Sequence, residues 1–215
     1  MPTFESLRGR HEGSWAIVAG LGPSVHELPD VTLCLELTVN DGRKYRPQSE
    51  YAVTIDGPRM LTRHKRQFKM FERPEGTLLL DLVWGDWAKW VDKYGDYRAE
   101  HWLKNATRFH ATRWAPRRGP LSPWSEELMY FGGTPFIACS MAAYLGADRV
   151  GVIGIDMSSS DKSSRGVRAE ANAAYADLAV MLMRTGTELV SLSPNNVTTC
   201  LPQVAVEDFV IGPGE

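Results

Sequence analysis

The chain has 215 residues, and 24 Lys and Arg against 26 Asp and Glu give it a formal net charge of −2. Apolar residues make up 43% and charged residues 23%, an ordinary globular composition for which we expect one domain over residues 1–215. No apolar run approaches the ~20 residues of a membrane span, and no apolar signal core precedes Trp15. Three widely spaced cysteines, Cys34, Cys139 and Cys200, indicate a cytoplasmic protein without a disulfide framework or zinc cluster.

Charge and tryptophan are unevenly distributed along the chain. The segment that begins at Arg59 and ends at Arg118 holds 14 Lys and Arg against 7 Asp and Glu, whereas the rest holds 10 against 19. Five of the seven tryptophans and three of the five histidines lie in the same segment. It is either a solvated face over packed tryptophans or a surface for phosphate, sugar or nucleic acid. We expect residues 59–127 to form a basic, Trp-rich insert or lid.

Short apolar runs predict the strands of the N-terminal half. The predicted strands cover residues 14–21, 31–39, 51–55 and 77–84. The first ends at Gly22-Pro23, the second at a turn that begins with Asn40, and the third at Asp56-Gly57. Residues 86–127 show no clean period, and three prolines interrupt them.

Helices and strands alternate more clearly in the C-terminal half. Thr134 is predicted to cap an apolar, buried helix that ends at Gly146. A strand over 149–155, a polar mobile loop over 158–168, a helix over 169–184 and a strand over 188–192 follow. Since helices and short apolar strands alternate at both ends, the sequence predicts an α/β fold with a mainly parallel sheet.

Ligands of such sheets bind where the strands end, so we looked for polar and glycine residues there. The run Gly20-Leu21-Gly22-Pro23-Ser24 follows the first strand. Glycines at this place let a phosphate approach the backbone, and the N–H groups of the next helix can bind it. Position 25 is Val rather than the third glycine of the dinucleotide fingerprint. The run is therefore either a nucleotide-binding loop or a tight turn.

Four further positions are candidates for the same site. Asn40, about 20 residues after Gly20, is placed to contact a ribose or base, or it only forms the turn. Asp56 and Asp156 end apolar strands, where a carboxylate can hold a metal ion, a sugar hydroxyl or a proton, or only cap a turn. Gly133 and Thr134 begin a helix that can bind an anion or be capped for structural reasons. Motifs of P-loop, zinc-protease and serine-hydrolase type are absent from the sequence.

Five blocks of the sequence together resemble a known superfamily. They are AIVAGLGPSV, TVN, YAVTIDGP, GGTPFIACSMAAYLGADRVGVIGIDM and LVSLSPNN, about 90 residues in the expected order. The superfamily joins the bacterial sialyltransferases of the Campylobacter type and the domain typified by archaeal 6-hydroxymethylpterin diphosphokinase, which also occurs in bacterial and phage proteins. The resemblance implies a Rossmann-like fold that binds a nucleotide. Residues 59–127 match nothing in it.

The resemblance also implies roles for individual residues. It places a glycine-rich loop beside the nucleotide phosphate and ribose, and the matching residues are Gly20, Gly22, Pro23 and Ser24. Further nucleotide-contacting positions match Asn40, Asp56, Gly133, Thr134, Ser193, Pro194 and Asn195. Asp156 matches the acidic residue that closes the following strand.

One departure concerns the catalytic base. The sialyltransferases carry a catalytic histidine between the blocks that contain Asp156 and Ser193, but this chain has no histidine after His110. Their mechanism cannot be carried over intact. The base must come from Asp56, Asp156 or a histidine of the middle segment, of which we select His110.

Three functions remain open at this point. The first is a glycosyltransferase with a nucleotide-sugar donor, whose acceptor is a small molecule, a glycan or DNA bound by the basic segment. The second is diphosphate transfer from ATP to a hydroxymethyl compound, with Asp56 and Asp156 holding Mg²⁺. The third is a non-catalytic nucleic-acid-binding or structural module. The oligomeric state is open as well.

Overall fold

A computed structural model describes residues 4–54, 77–81, 106–113, 127–130, 134–156 and 163–213. Eight strands lie within these residues: β1 (Trp15–Ala19), β2 (Leu35–Val39), β3 (Tyr51–Thr54), β4 (Thr77–Asp81), β5 (Ala106–Arg113), β6 (Glu127–Tyr130), β7 (Arg149–Ile153) and β8 (Glu188–Ser191). They form one sheet in the order β6-β5-β4-β3-β2-β1-β7-β8, in which every pair is parallel. The predicted Rossmann-like α/β fold is confirmed.

Helices cover the sheet unevenly. In the described residues the α-helices are α1 (Thr134–Tyr144), α2 (Ser163–Met183) and α3 (Val206–Phe209). Short 3-10 helices occupy Glu5–Leu7, Pro23–Glu27 and Asn40–Lys44. None of the helices that the structure describes has both the length and the apolar character needed to cross a bilayer.

Helices alternate with strands at both ends, as predicted, but the helices between β1 and β3 are not α-helices. The connections from β1 to β2 and from β2 to β3 hold 3-10 helices instead. Only residues 40–50 separate β2 from β3. A helix as long as these strands needs roughly 11 residues by itself, which leaves none for the two turns.

The strands bury alternate residues on opposite faces of the sheet. Along β1, Ala16 and Val18 join the cluster beneath α1 and α2, whereas Ile17 and Ala19 join the cluster on the other face. Helix α1 is buried nearly all round, as its composition predicts. Helix α2 contributes one stripe to the same cluster, Ala174, Tyr175, Leu178, Met181 and Leu182. The second face is covered by the 3-10 helix Pro23–Glu27 and by α3, which buries Phe209 completely.

Several predicted boundaries are corrected by the structure. Strand β2 begins at Leu35 rather than at residue 31, because the Leu33 amide pairs with the Val210 carbonyl and leaves the Leu33 side chain 78% exposed. The predicted mobile loop over 158–168 overlaps α2, which already begins at Ser163. Serines suit a first helical turn, where their competition for backbone groups does no harm.

The segment predicted as an insert contributes to the sheet. Strands β4 and β5 lie within residues 59–127, and β6 begins at Glu127. The sequence analysis missed β5, which contains no apolar run, and it missed β6 although Leu128, Met129 and Tyr130 are apolar and consecutive. The other residues of the segment lie outside the described residues, so the lid stays a prediction for them.

A buried ion pair joins β2 to the connection that follows it. Glu36 and Arg46 are 6% and 4% exposed, and Arg46 Nε donates to Glu36 Oε2 at 3.0 Å. Arg46 also donates to the Pro29 carbonyl, and Thr32 donates to the other oxygen of Glu36. Because both charges are compensated by several hydrogen bonds, they are tolerated inside the fold.

A histidine near the amino ends of the strands makes the stability depend on pH. His11 Nε2 lies 2.8 Å from the hydroxyl of Tyr51 and 3.4 Å from Glu50 Oε1. Burial lowers the pKa of His11 below its ordinary value of 6.5, although the charge of Glu50 opposes this shift. Burial, with a further contribution from Glu50, raises the pKa of Tyr51 to about 12, so its phenol stays protonated.

We therefore expect the free energy of unfolding to fall as the pH drops below 6.5, the ordinary pKa of histidine. In that window the unfolded chain binds a proton that the folded protein excludes, so stability rises with pH and is lost on acidification. Urea denaturation at a series of pH values measures this slope. His11→Gln should reduce it, and the same slope in both proteins would contradict the assignment.

Candidate functional site

The chain reverses its direction of travel across the sheet at β1. From β1 it moves outward through β2 and β3 to β6, and it then returns to the other side of β1 to form β7 and β8. In open parallel sheets, ligands bind outside the carboxyl ends of the strands at such a reversal. The loops that follow β1, β2 and β7 are therefore the candidate site.

The loops after β1 and β7 are hydrogen-bonded to each other. The Gly20 amide donates to the Ile153 carbonyl at 2.8 Å, and the Gly22 amide donates to the Gly154 carbonyl at 2.7 Å. The bonds continue the parallel pairing of β1 with β7 beyond the last strand residues. The crevice between these two strands is consequently closed by backbone.

Ser24 and Asp156 extend this contact with side chains. The Ser24 amide donates to Asp156 Oδ2 at 2.6 Å, and the Ser24 hydroxyl donates to Asp156 Oδ1 at 2.7 Å. The Ser24 hydroxyl in turn accepts from the Gly154 amide at 2.9 Å. We call these three bonds the Ser24–Asp156 clamp. Ser24 is 3% exposed, so the clamp replaces water around its polar groups.

Two glycines make the close approach of the loops possible. Gly154 has a φ of +73°, a left-handed conformation that glycine adopts readily. A Cβ atom on Gly20 would collide with the carbonyl oxygen of Gly154 and lie 2.7 Å from its carbonyl carbon. Both contacts are to backbone, which cannot rotate away.

The backbone amides of the glycine loop are already used. Gly20, Gly22 and Ser24 donate to the β7 loop, and the Val25 amide donates to the Gly22 carbonyl. Pro23 has no N–H group. The amides of Gly20, Gly22 and Ser24 are therefore occupied in this structure, and the cradle in which the loop binds a phosphate stays a prediction. The glycines also allow the close packing of the two loops.

Asn40 and Thr134 come together next to this loop. Asn40 begins the 3-10 helix after β2 with a φ of 49°, and its Oδ1 accepts from the Thr134 hydroxyl at 3.1 Å. The same 3-10 helix lies against β1, since a Cβ on Gly42 would be 3.5 Å from the Ala19 carbonyl oxygen. Thr134 is the first residue of α1, whose N-terminus carries a partial positive charge. Residues 94 positions apart thus form one polar corner.

The late loop borders the other side of the clamp. Ser193 is buried and accepts from the amide of Asn195, which is exposed. Asn196, which the sequence analysis did not select, makes the longer-range contacts. Its side chain donates to the Val152 carbonyl at 2.7 Å and accepts from the Ile155 amide at 3.2 Å. The Asn195-Asn196 doublet was the available signal, but nothing in the sequence separates the exposed member from the buried one.

Three predicted residues are not tested by these contacts. Asp56 and Gly133 lie outside the described residues. His110 lies in β5 and is in register with Glu127 of β6, but its side chain is not among those described. Among the described residues, no three His, Cys, Asp or Glu side chains are grouped to hold a metal ion.

The cysteines are not activated nucleophiles. Desolvation raises the pKa of Cys34 to about 11, and it also raises the pKa values of Cys139 and Cys200. All three thiols are free. Because the thiolate is the reactive form, these thiols stay unreactive at neutral pH.

Comparison with known proteins identifies the fold. No protein-family model matches the sequence, and no curated protein matches it. A structure of a mutant of the α-2,3/8-sialyltransferase CstII is similar over 94% of this chain and 91% of its own, with a TM-score of 0.50 and 13% identity. Two further structures of CstII from Campylobacter jejuni, with CMP-3FNeuAc and with cytidine-5'-monophosphate, have TM-scores of 0.48 and identities of 14% and 13%. The similar regions cover 89% and 90% of this chain, and 85% and 86% of the two CstII chains. The protein thus has a sialyltransferase-like fold.

The contact between Gly20 and Gly154 generates a stability prediction. Gly20→Ala should lower the free energy of unfolding by about 2 kcal/mol, because the added methyl group meets backbone that must move. Urea denaturation measures the change. Leu21→Ala is the matched control, since Leu21 lies in the same loop with 43% of its surface exposed. An equal or smaller loss in Gly20→Ala than in the control would contradict the close contact.

Proposed function

We infer that this protein is a glycosyltransferase that uses a nucleotide-sugar donor. The observation that carries the proposal is the polar corner of Asn40 and Thr134, built beside the closed glycine loop at the carboxyl edge of the sheet. The fold supports it, because CstII, which shares this architecture, is a sialyltransferase. No contact among the described residues favours diphosphate transfer from ATP, which stays an alternative suggested by the sequence.

The N-terminus of α1 is the proposed place for the donor phosphates. The amides of its first turn have no partner within the helix, and the helix dipole favours an anion there. Asn40, held by Thr134, would contact the ribose or base. The glycine loop, whose amides are occupied, would contribute a surface without side chains on which the nucleotide can lie close to the backbone.

Glycosyl transfer at this site breaks the bond between the sugar and the donor phosphate and forms a bond to an acceptor hydroxyl. The phosphate leaves with added negative charge, which the N-terminus of α1 would stabilise. A base must take the acceptor proton. From the sequence, Asp56, Asp156 and His110 are the candidates for this base.

The middle segment is the proposed acceptor surface. Helix α1 packs against β6 as well as against β1, β2 and β7. Only residues 131–133 separate Tyr130, the last residue of β6, from Thr134, so the two Cα atoms are at most about 15 Å apart. Strand β6, which ends close to the polar corner, therefore links that corner to the segment that carries the positive charge. Its charge fits a polyanionic acceptor, with DNA as the first to test.

Gly22→Val is expected to abolish nucleotide binding. A Cβ on Gly22 would lie 2.6 Å from Asp156 Oδ2 and 2.8 Å from the Asp156 amide, so the larger side chain must displace the loop. The first step is a thermal-shift panel of nucleotides, ATP and nucleotide sugars, with and without Mg²⁺. Isothermal calorimetry with the best ligand then compares wild type with the variant.

Leu21→Val is the matched control for this experiment, because it places the same side chain at an exposed position of the same loop. It should bind the nucleotide as wild type does. Undiminished binding by Gly22→Val would remove the glycine loop from the site. Binding of ATP alone, with AMP among the products, would replace the proposed function by diphosphate transfer.

DNA binding should weaken steeply as salt is raised, because basic side chains release counterions from the phosphates they contact. Fluorescence anisotropy with a labelled duplex at increasing NaCl measures the slope. The double variant Arg117→Glu and Arg118→Glu should bind more weakly and with a smaller slope, while Arg10→Glu, outside the basic segment, should not. Absence of binding by wild type at low salt would exclude DNA as the acceptor.

A further inference from the structure

We propose that Asp156 is a positioning residue that holds the glycine loop in place, and that it is neither a metal ligand nor the catalytic base. Both oxygens of its carboxylate accept hydrogen bonds from Ser24, one from the amide and the other from the hydroxyl. The sequence alone allowed a metal, a proton or a sugar hydroxyl as its partner. In the folded protein, the partner of the Asp156 carboxylate is Ser24, which lies 132 positions earlier in the chain.

The surroundings of the carboxylate restrict any further contact. Gly22 lies so close to Oδ2 that a Cβ atom there would be 2.6 Å from it. The other oxygen accepts from a hydroxyl that is itself polarised by the Gly154 amide. Charge-assisted hydrogen bonds arranged in such a chain reinforce one another. One acceptor position on each carboxylate oxygen is thus occupied by Ser24.

The clamp has a definite consequence for the site. Residues 22–24 connect β1 to the 3-10 helix Pro23–Glu27, and the clamp anchors this turn to the loop after β7. The clamp also engages the Ser24 amide, which is then not available to bind an anion. Asp156 therefore sets the position of the loop and directs anion binding towards α1. The second part of this inference rests on the proposed function.

Four variants separate positioning from catalysis and metal binding. Ser24→Ala removes the two bonds of the Ser24 hydroxyl, Asp156→Ala removes the two bonds of the carboxylate, and the double variant removes all three bonds of the clamp. Asp156→Asn keeps an oxygen for the Ser24 amide and places an NH₂ group against the Ser24 hydroxyl, which can accept from it. Asn172→Ala is the control for lost stability, because it removes hydrogen bonds from α2 to the Val197 carbonyl and Cys200 amide but leaves the clamp intact.

The first measurement needs no ligand. Amide hydrogen exchange of residues 22–25, compared with that of β2, should accelerate by about tenfold or more in Ser24→Ala and Asp156→Ala. The double variant should exchange at least as fast as either single variant, but its acceleration should be smaller than the product of the two, since both single variants lose the bond between the Ser24 hydroxyl and Asp156. Asp156→Asn should restore most of the protection, and Asn172→Ala should exchange like wild type there. Unchanged exchange in Asp156→Ala would overturn the proposal whether or not a nucleotide binds.

The second measurement uses the nucleotide that binds wild type best, with Mg²⁺ and again with EDTA. The clamp predicts that Ser24→Ala and Asp156→Ala weaken binding by about tenfold in both buffers, with Asp156→Asn close to wild type. A loss confined to the Mg²⁺ buffer, or an Asp156→Asn variant as weak as Asp156→Ala with normal hydrogen exchange, would show a direct role and overturn the proposal. If wild type binds no nucleotide, the proposed function fails, and the exchange experiment alone decides the clamp.

Discussion

The close contact between the loops after β1 and β7 is the constraint on which the candidate site depends. It joins the first strand of the sheet to a strand formed about 130 residues later, at the point where the chain reverses across the sheet. Backbone amides, a buried serine and a carboxylate are all satisfied within it. A glycine on each side allows two backbones to touch where side chains would keep them apart.

The contact also changes the meaning of the glycine motif. A glycine-rich turn after the first strand usually suggests amides that point at a phosphate. Here the amides of Gly20, Gly22 and Ser24 are turned towards the loop after β7. The anion site that we propose at this edge of the sheet is instead the N-terminus of α1, whose Thr134 contacts Asn40. The same sequence motif can therefore occur at the same place in a fold and make different hydrogen bonds there.

The near-zero net charge is the sum of a basic segment and an acidic remainder of the chain. The strands that build the joined loops belong to the acidic part of the chain, whereas the basic excess lies in residues 59–118. Strands β4 and β5 carry part of that segment into the sheet, and β6 leads from it into α1. Strand β6 is thus a covalent link between the basic segment and the helix that begins at the polar corner. This connection gives a physical reason to expect one substrate to bridge both.

The sequence by itself determined the fold class, six of the eight described strands in their approximate places, and the positions at which strands end in polar or glycine residues. Those features follow from local patterns, because apolar runs, helix caps and turn residues act over a few positions. The sequence also singled out Asn40, Thr134, Ser24 and Asp156. It missed β5, which has no apolar run, and β6, whose apolar run is only three residues long, and it did not distinguish Asn195 from Asn196.

Only the tertiary structure decided which of these residues meet. The pairings of Asn40 with Thr134 and of Ser24 with Asp156 span 94 and 132 positions. Their partners are chosen by the order of the strands, which local patterns do not encode. Whether a carboxylate acts as a base, a metal ligand or an anchor depends on what the other end of the chain places against it. For Asp156 that neighbour is Ser24, because β1 and β7 lie side by side.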